Sequence, residues 1–139
     1  MNLDNYLNIF CIICVLFITI YSIYNQVFEQ FNNDSQIIHD IVRNLNKYFP
    51  KINKLDFFEG DESFTLNKKK VYICIKDKFG KVYDSNVLTY VILHEYTHSI
   101  CPEIGHTPLY KSMFANIISK AISVGVYVAD GQFPEDYCK

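Results

Sequence analysis

The stretch that most constrains the fold is NVLTYVILHEYTH, which runs from Asn86 to His98. Its first eight residues are mostly apolar and long enough for a buried helix, and Asp84 or Ser85 precedes them as a candidate N-cap. On a helix, residues four apart lie on the same face, so His94 and His98 can present two imidazoles to one point. The stretch therefore predicts a buried helix with a histidine pair on one side.

His94, Glu95 and His98 match the pattern H-E-x-x-H, in which two histidines bind a metal ion and the glutamate acts as a general base. Glu95 lies one step round the helix, where it can hold a water molecule without being a ligand. A third ligand is needed, and His106 follows eight positions after His98. Three of the four histidines fall within the thirteen residues from His94 to His106, which favours a metal site over two surface histidines on an amphipathic helix.

The residues after this helix predict a sharp turn and a second helix. The proline that follows Cys101 disfavours helical backbone there, and Gly105 gives a permissive backbone just before His106. Thr107 is then a candidate N-cap for a helix over Pro108–Ser123. The apolar side of this helix would consist of Leu109, Met113, Phe114, Ile117, Ile118, Ala121 and Ile122.

This region resembles the metal site of the SprT and WLM families of zincin-like metallopeptidases. The resemblance is carried by HEYTH (94–98), by GHTPLY (105–110) and by the helix that follows. In those families a third histidine comes from a Gly-His segment after the active-site helix, commonly with an aromatic residue a few positions on, as Tyr110 is here. KVYICIKD (70–77) and PEDYC (134–138) are also similar to small WLM-like proteins predicted in large DNA viruses and protists.

The resemblance, which covers about residues 63–138, implies a zinc-dependent metallopeptidase. His94, His98 and His106 would bind zinc and leave one coordination position open for water. Glu95 would act as the general base on this zinc-bound water as it attacks a peptide bond of a polypeptide substrate. Zinc is the cofactor that this arrangement predicts.

Two other zincin patterns fit less well. Metzincins place a glycine three residues and a histidine six residues after the second histidine, whereas SIC (residues 99–101) follows here and His106 is eight residues away. Gluzincins take a glutamate from a later helix. Glu103 lies in the turn, and Glu135 and Asp136 lie in a loop-like tail. His106 is therefore the predicted third ligand, at an interval that differs somewhat from typical SprT and WLM members.

Two functions of other classes remain open. One is a membrane-anchored zinc-binding module without hydrolysis, in which the same histidines only hold the fold together. An intact Glu95 counts against it, because a structural site has no use for a base beside an open position. The other is a small membrane interaction protein in which HEYTH is coincidental. The enzyme would also need an oxyanion donor, and Tyr127 and Tyr137 are the candidates that no spacing rule separates.

The N-terminal segment predicts a transmembrane helix. No charged residue lies between Asn5 and Phe28, and YLNIFCIICVLFITIYSIY (6–24) is a dominantly apolar run of nineteen residues. At about 1.5 Å per residue this run covers the thickness of a hydrocarbon core. A cleaved signal peptide would need a basic start, but the first 34 residues contain no Lys or Arg. A buried core helix is the third interpretation, and the uninterrupted length favours a single-pass anchor.

The remaining segments predict one compact α+β domain over residues 35–139, behind an anchor and linker over residues 1–34. An amphipathic helix is expected at Ser35–Tyr48, with His39 on its surface. Ser63–Leu66 and Lys69–Ile75, joined by an Asn-Lys pair, predict a β-hairpin. Further segments are a linker at residues 28–34 and a loop at residues 77–86.

A small antiparallel sheet should cover the active-site helix in this domain. The strand Lys70–Lys76 is expected to border the cleft, where its edge could receive an extended peptide by strand addition. The 105 residues that follow the anchor are enough for one compact domain but not for two.

Composition limits the partners and the compartment. The formal net charge is −2, and the small basic cluster at 68–70 is typical of a solvated hairpin turn, so no feature supports nucleic acid as a partner. The five cysteines show no disulfide framework. They favour reduced thiols and therefore a domain on the cytosolic side of the membrane.

Overall fold

The structure, a computed structural model, describes residues 3–129 and 133–138. The helices are α1 (Leu3–Asn46), α2 (Ser85–Ile100) and α3 (Pro108–Ser123), with a short 3-10 helix at Pro50–Lys54. The strands are β1 (Asp56–Glu59), β2 (Phe64–Leu66) and β3 (Lys70–Ile73). The predicted α+β class and the N-terminal apolar helix are therefore confirmed.

The first part of α1 has the length and composition of a membrane span. The segment Asn8–Phe28 contains 21 residues, and none of its apolar window is buried. A signal sequence near an N-terminus has the same features, so this segment by itself is weak evidence of membrane association. The segment predicted as a linker over residues 28–34 is helical, since α1 continues through it to Asn46. These residues include no Pro or Gly to stop a helix.

The chain divides into two compact units, Met1–Asn33 and Asp34–Lys139. In the second unit, the last turns of α1 carry the predicted amphipathic pattern. Ile38 and Leu45 are buried in the core, and His39 is exposed as expected. The helix ends two residues before the predicted Tyr48, where the backbone turns into the 3-10 helix.

β2 and β3 form the predicted hairpin. They pair antiparallel, with Thr65 opposite Val71. The turn between them has positive φ angles of 51° at Asn67 and 56° at Lys68. Left-handed backbone at two successive residues matches the twist of the strands that a tight hairpin joins. This turn places Lys68 close to the end of α2.

β1 was not predicted, and it makes the sheet mixed instead of antiparallel. Its four residues run parallel to β3, with Phe58 opposite Tyr72. The strand order is β1-β3-β2, so β3 is the central strand. The prediction that the strand Lys70–Lys76 offers a free edge is therefore wrong, because its first four residues, Lys70–Ile73, form β3 and are paired on both sides. β2 is an edge strand among the described residues.

The inner face of the sheet packs on α2, which in turn contacts α3. Leu88 and Ile92 of α2 and Val71 and Ile73 of β3 are each 0% exposed. Complete burial of one such side chain contributes about 1.5–3 kcal/mol to the stability of the fold. α2 is therefore held firmly by the core, and this rigidity extends to the residues of its last two turns.

The two N-caps that were expected from the sequence are present. The Asp84 carboxylate accepts a hydrogen bond of 2.7 Å from the backbone N–H of Asn86 at the start of α2. At the start of α3, the Thr107 hydroxyl accepts a bond of 3.2 Å from the backbone N–H of Tyr110. Both side chains satisfy N–H groups that the helix itself leaves unpaired. The two helices on either side of the turn are therefore confirmed with their predicted starts.

Cys74 and Cys138 form a disulfide across a sequence separation of 64 residues. The prediction of reduced thiols is wrong for this pair, and the argument for a cytosolic domain loses its basis. The tail folds back beside the end of β3, where the Tyr137 hydroxyl donates a hydrogen bond of 2.6 Å to the carbonyl of Cys74. The spacing of the cysteines in the sequence does not indicate this pairing. Cys101 is buried and free.

Candidate metal centre

Three imidazoles converge on one point at the end of α2. His94 and His98 lie one turn apart on the helix, and the turn before α3 brings His106 over them. Nε2 of His106 lies 3.0 Å from Nε2 of His94 and 3.1 Å from Nε2 of His98. Within residues 3–129 and 133–138, these histidines form the group of side chains that could hold a metal ion.

The protonation of His94 and His98 suits metal binding. Burial, followed by the proximity of His98 and His106, lowers the pKa of His94 from 6.5 to about 4. Burial also lowers the pKa of His98, and His106 and Lys68 lower it further. His94 and His98 are therefore neutral near pH 7. A neutral imidazole has a nitrogen lone pair to give to a metal ion.

The loop that carries His106 is held in place by the hairpin turn. α2 ends at Cys101, and Gly105 has a φ of +82°, which would strain any other residue. The ammonium group of Lys68 donates a hydrogen bond to the carbonyl of Cys101, and it lies 3.5 Å from the carbonyl of Glu103. Lys68 therefore connects the turn after β2 to the loop of the third histidine.

Tyr110, in the first turn of α3, packs against all three imidazoles. Its ring stacks on His98 with a centroid separation of 4.2 Å, and its centroid lies 4.8 Å from that of His106. Its hydroxyl donates a hydrogen bond of 3.1 Å to the carbonyl of His94. The side chain is 2% exposed, and burial raises the pKa of its phenol. Tyr110 is thus a neutral side chain that fixes the orientation of the histidines.

Glu95 is a buried carboxyl group with one specific partner. The residue is 4% exposed, and its Oε2 accepts a hydrogen bond of 2.8 Å from the hydroxyl of Thr65. The same hydroxyl lies 3.0 Å from the main-chain oxygen of Glu95. Burial raises the pKa of Glu95, and the bond from Thr65 acts in the opposite direction. Thr65 was not predicted as a site residue, because strand alternation would place the apolar Phe64 and Leu66 inward and the polar Thr65 outward, which is the reverse of what the structure shows.

A cleft of about 480 Å³ opens beside the histidines and Glu95. One side, the helical wall, consists of His94, Glu95 and His98 on α2. The strand wall consists of residues 63–65, 67 and 68, which belong to β2, the residue before it and the hairpin turn. The loop with His106 also lines the cleft. The edge strand of the sheet therefore lies beside the metal-binding group.

The structure does not bring either candidate oxyanion donor into the cleft. The Tyr137 hydroxyl is 2.9 Å from the Ser63 hydroxyl and donates to the carbonyl of Cys74, and its pKa rises to about 12, mainly through burial. Tyr127 packs against Tyr90, with ring centroids 5.7 Å apart. Neither Tyr127 nor Tyr137 is among the residues that line the cleft.

The acidic residues that ranked below His106 as third ligand are not members of the histidine group. Glu103 is exposed and lines the cleft. Asp136 forms an ion pair of 3.1 Å with Lys78. Glu135 lies in the same tail. Among the described residues, the third member of the group that could hold a metal ion is His106.

Fold and site together define an α+β protein with a three-histidine site that could hold a metal ion. The chain is 42% identical over 83 residues to uncharacterized protein 136R of Invertebrate iridescent virus 6. The aligned region covers 58% of this chain and 47% of that protein. The chain is 39% identical over 87 residues to uncharacterized protein 042R of Invertebrate iridescent virus 3, covering 62% and 55%.

A third relative is uncharacterized protein R325 of Acanthamoeba polyphaga mimivirus, with 32% identity over 124 residues, 83% of this chain and 54% of that protein. The chain therefore spans about half the length of the curated relatives it matches. No family model and no solved structure matches the chain.

Proposed function

We propose that this protein is a zinc-dependent metallopeptidase similar to the SprT and WLM families. The observation that carries the proposal is the buried Glu95, which is oriented by Thr65 beside three convergent imidazoles and lines the same cleft. A structural zinc site uses four protein ligands and has no need of a buried base. Three histidines with an adjacent carboxyl group are instead the pattern of a hydrolytic centre.

The donor set fits zinc. Nitrogen ligands at about 2.0–2.1 Å from a tetrahedral zinc ion are separated from one another by roughly 3.3 Å. The separations of 3.0 and 3.1 Å between the Nε2 atoms are close to this value. The imidazoles of His94 and His98, neutral near pH 7, need not release a proton before they bind a metal ion. His94, His98 and His106 would therefore hold the ion and leave a fourth position open towards the cleft.

When bound, zinc supplies a Lewis acid that polarises the scissile carbonyl and lowers the pKa of a coordinated water. The hydroxyl of Thr65 occupies Oε2 of Glu95, which leaves Oε1 to accept the proton of the attacking water. Glu95 then delivers this proton to the leaving amine. The raised pKa of the buried carboxyl group suits both steps, because it brings the group closer to the pH at which it must take up and release a proton.

The substrate that suits this cleft is an extended polypeptide. β2 is an edge strand and lines the cleft, so a peptide can add to it by main-chain hydrogen bonds. The edge that can receive a substrate strand is therefore that of β2 and not that of the central strand β3. Recognition through the backbone selects unfolded segments, because a folded protein rarely offers a free extended strand.

The N-terminal helix would serve as a single-pass membrane anchor. Its 21-residue apolar segment is long enough to span a bilayer. The full-length chain should stay with membranes after washing with alkaline carbonate, and a chain that begins at Ser35 should be released. Recovery of a mature protein that begins near residue 25 would instead identify the segment as a signal peptide.

The test of the proposed function uses the full-length chain in lipid nanodiscs. It should bind about one zinc ion per chain and hydrolyse an unfolded protein substrate. Glu95→Gln should keep the zinc and lose about a hundred- to ten-thousandfold in activity, since it removes the general base. Glu62→Gln, at an exposed position outside the cleft, is the matched control and should keep its activity.

Two results would contradict the proposal. Full activity in Glu95→Gln would remove the general base from the mechanism. Stoichiometric zinc without hydrolysis of any unfolded substrate by the wild type would favour the non-catalytic zinc-binding module.

A further inference from the structure

Three aromatic rings form a row across the outer face of the sheet. Phe58 of β1 and Phe64 of β2 each stack on Tyr72 of β3, with centroid separations of 5.3 and 4.7 Å and interplanar angles of 27° and 16°. The strand register places the three residues directly opposite one another. Phe58 is 42% and Phe64 43% exposed, and the aromatic row takes no part in the hydrophobic core.

The aromatic row ends at the cleft. Phe64 is its last member and lines the cleft from the edge strand. The next residue along β2, Thr65, faces the opposite side of the sheet, where its hydroxyl contacts Glu95. A substrate strand beside β2 would alternate in the same way, because successive side chains of a strand point to opposite faces. Its residue opposite Phe64 would therefore lie on the outer face, level with the row.

The spacing of the rings matches the spacing of strands. Adjacent strands lie about 4.7–4.9 Å apart, and the ring centroids repeat at 4.7 and 5.3 Å. A fourth strand would place an aromatic side chain at the next repeat, where it would stack on Phe64. Aromatic pairs across neighbouring strands stabilise a sheet beyond the area that they bury.

The surroundings of the row favour a single side chain over a broad partner. The neighbouring row on the same face contains Asp56 and Lys70 in register, together with Leu66. Asp56 also forms an ion pair of 3.7 Å with Lys69. The apolar surface is thus a narrow strip of three rings and Leu66, with the charged Asp56 and Lys70 beside it. A stable interface with a second protein would need a much larger patch.

We propose that Phe64 is a specificity-determining residue, which selects an aromatic side chain of the extended polypeptide as the fourth ring of the aromatic row. This inference rests on the proposed function and names the substrate class of the same cleft: unfolded segments with a Phe, Tyr or Trp at one fixed position. Tyr72 and Phe58 support the ring of Phe64 from behind and do not contact the substrate.

The test measures peptide binding and does not depend on hydrolysis. The full-length Glu95→Gln chain is loaded with zinc in nanodiscs, and fluorescent peptides of Ser, Thr and Gly carry one Phe that is moved along the peptide. At one position, Phe should bind about two- to tenfold more tightly than Ser, as expected for one aromatic pair. Phe64→Ala should reduce this ratio to near one, and Phe64→Tyr should retain it. Ile122→Ala, at an equally exposed position of 43% on α3, should also retain it.

The outcomes separate this inference from the proposed function. Equal binding of Phe and Ser peptides, or a Phe preference that survives Phe64→Ala, would overturn the role of Phe64. Self-association of the chain that Phe64→Ala abolishes, with no peptide bound, would assign the edge to a second copy and overturn it as well. A Phe preference that depends on Phe64 in a chain that cleaves nothing would support the docking site and refute the peptidase. Cleavage that depends on Glu95 without any Phe preference would support the peptidase and refute the role of Phe64.

Discussion

The two walls of the cleft differ in burial and in how the chain assembles them. The helical wall comes from three residues within five consecutive positions of α2, with Glu95 buried and His94 and His98 half-buried. The strand wall is more open, with Phe64 and Lys68 exposed, and it reaches the helix through the contacts of Thr65 and Lys68 with residues 30 or more positions away. The helical wall thus supplies the chemical groups, and the strand wall orients them. Substitutions in the helical wall should therefore have the larger effects.

The largest effect is expected from the loss of a metal ligand. The stability of the metal-free fold should fall more when the lost ligand is on α2 than when it is in the loop before α3. His94→Ala and His106→Ala should each remove most of the bound zinc, because two imidazoles hold the ion poorly. In excess chelator, His94→Ala should lower the free energy of unfolding by about 1–3 kcal/mol, since it empties a half-buried position. His106→Ala should stay within about 0.5 kcal/mol of the wild type, since His106 is exposed.

Zinc content by elemental analysis and thermal unfolding with and without chelator check this prediction. Full zinc occupancy in His106→Ala, together with its loss in Glu103→Ala or Glu135→Ala, would show that the third ligand is an acidic residue of the loop or the tail.

The second effect concerns the bond between the two walls. Thr65→Val keeps the shape of the side chain and removes the hydrogen bond to Oε2 of Glu95. Hydrogen bonds to charged groups contribute about 1.5–3 kcal/mol, so kcat should fall by at least about tenfold. KM and zinc content should change little, because the ligands and the main chain of β2 stay the same. Thr65→Ser should recover most of the activity, and equal losses in both variants would indicate a packing defect.

The sequence predicted the helical wall because its information is local. The spacing of His94 and His98 on one helix, the cap at Asp84 and the turn before His106 all depend on neighbouring residues. The resemblance to the SprT and WLM families pointed to the same positions. The start and end of α3 followed from the Thr-Pro pair and the apolar period in the same way.

Local sequence patterns did not predict the contacts of the strand wall or the disulfide. β1 is a short strand whose partner, β3, lies beyond β2 in the sequence, so no hairpin signal marks it. Without β1, β3 looked like the free edge, and the sheet looked antiparallel. Thr65 and Lys68 act on groups more than 25 residues away, and the Cys74–Cys138 pair is 64 residues apart. Contacts of this kind depend on the tertiary fold, which local periodicity does not contain.

A pH dependence of the free energy of unfolding should test the surroundings of His94, which is half-buried in the helical wall. The folded chain holds the pKa of His94 at about 4, below the ordinary 6.5 of the unfolded chain. Between these values the unfolded state binds a proton at His94 that the folded state does not. The contribution of His94 to the free energy of unfolding is therefore complete above pH 6.5 and is lost as the pH falls towards 4. Glu95, whose pKa is raised, acts in the opposite direction, and stability from its neutral form is lost as the pH rises.

The measurement is urea unfolding of the metal-free chain from pH 7 to pH 4. His94→Gln should flatten the pH profile relative to the wild type, while the contribution of Glu95 remains in both chains. His39→Gln, at an exposed histidine of α1, is the matched control substitution. Parallel profiles for wild type and His94→Gln would contradict the burial of the imidazole.

The smallest effect is expected at the exposed end of the strand wall. Lys68→Met removes the hydrogen bonds to the loop carbonyls of Cys101 and Glu103 and leaves every ligand in place. The loop can then sample positions in which His106 turns away from the other two imidazoles. The dissociation constant for zinc, measured by competition with a chromogenic chelator, should rise by about two- to fivefold, since the hydrogen bonds of an exposed lysine contribute little. Lys70→Met, on the same hairpin and away from the loop, should match the wild type. A loss as large as that of His98→Ala would mean that the strand wall carries the metal site as much as the helix does.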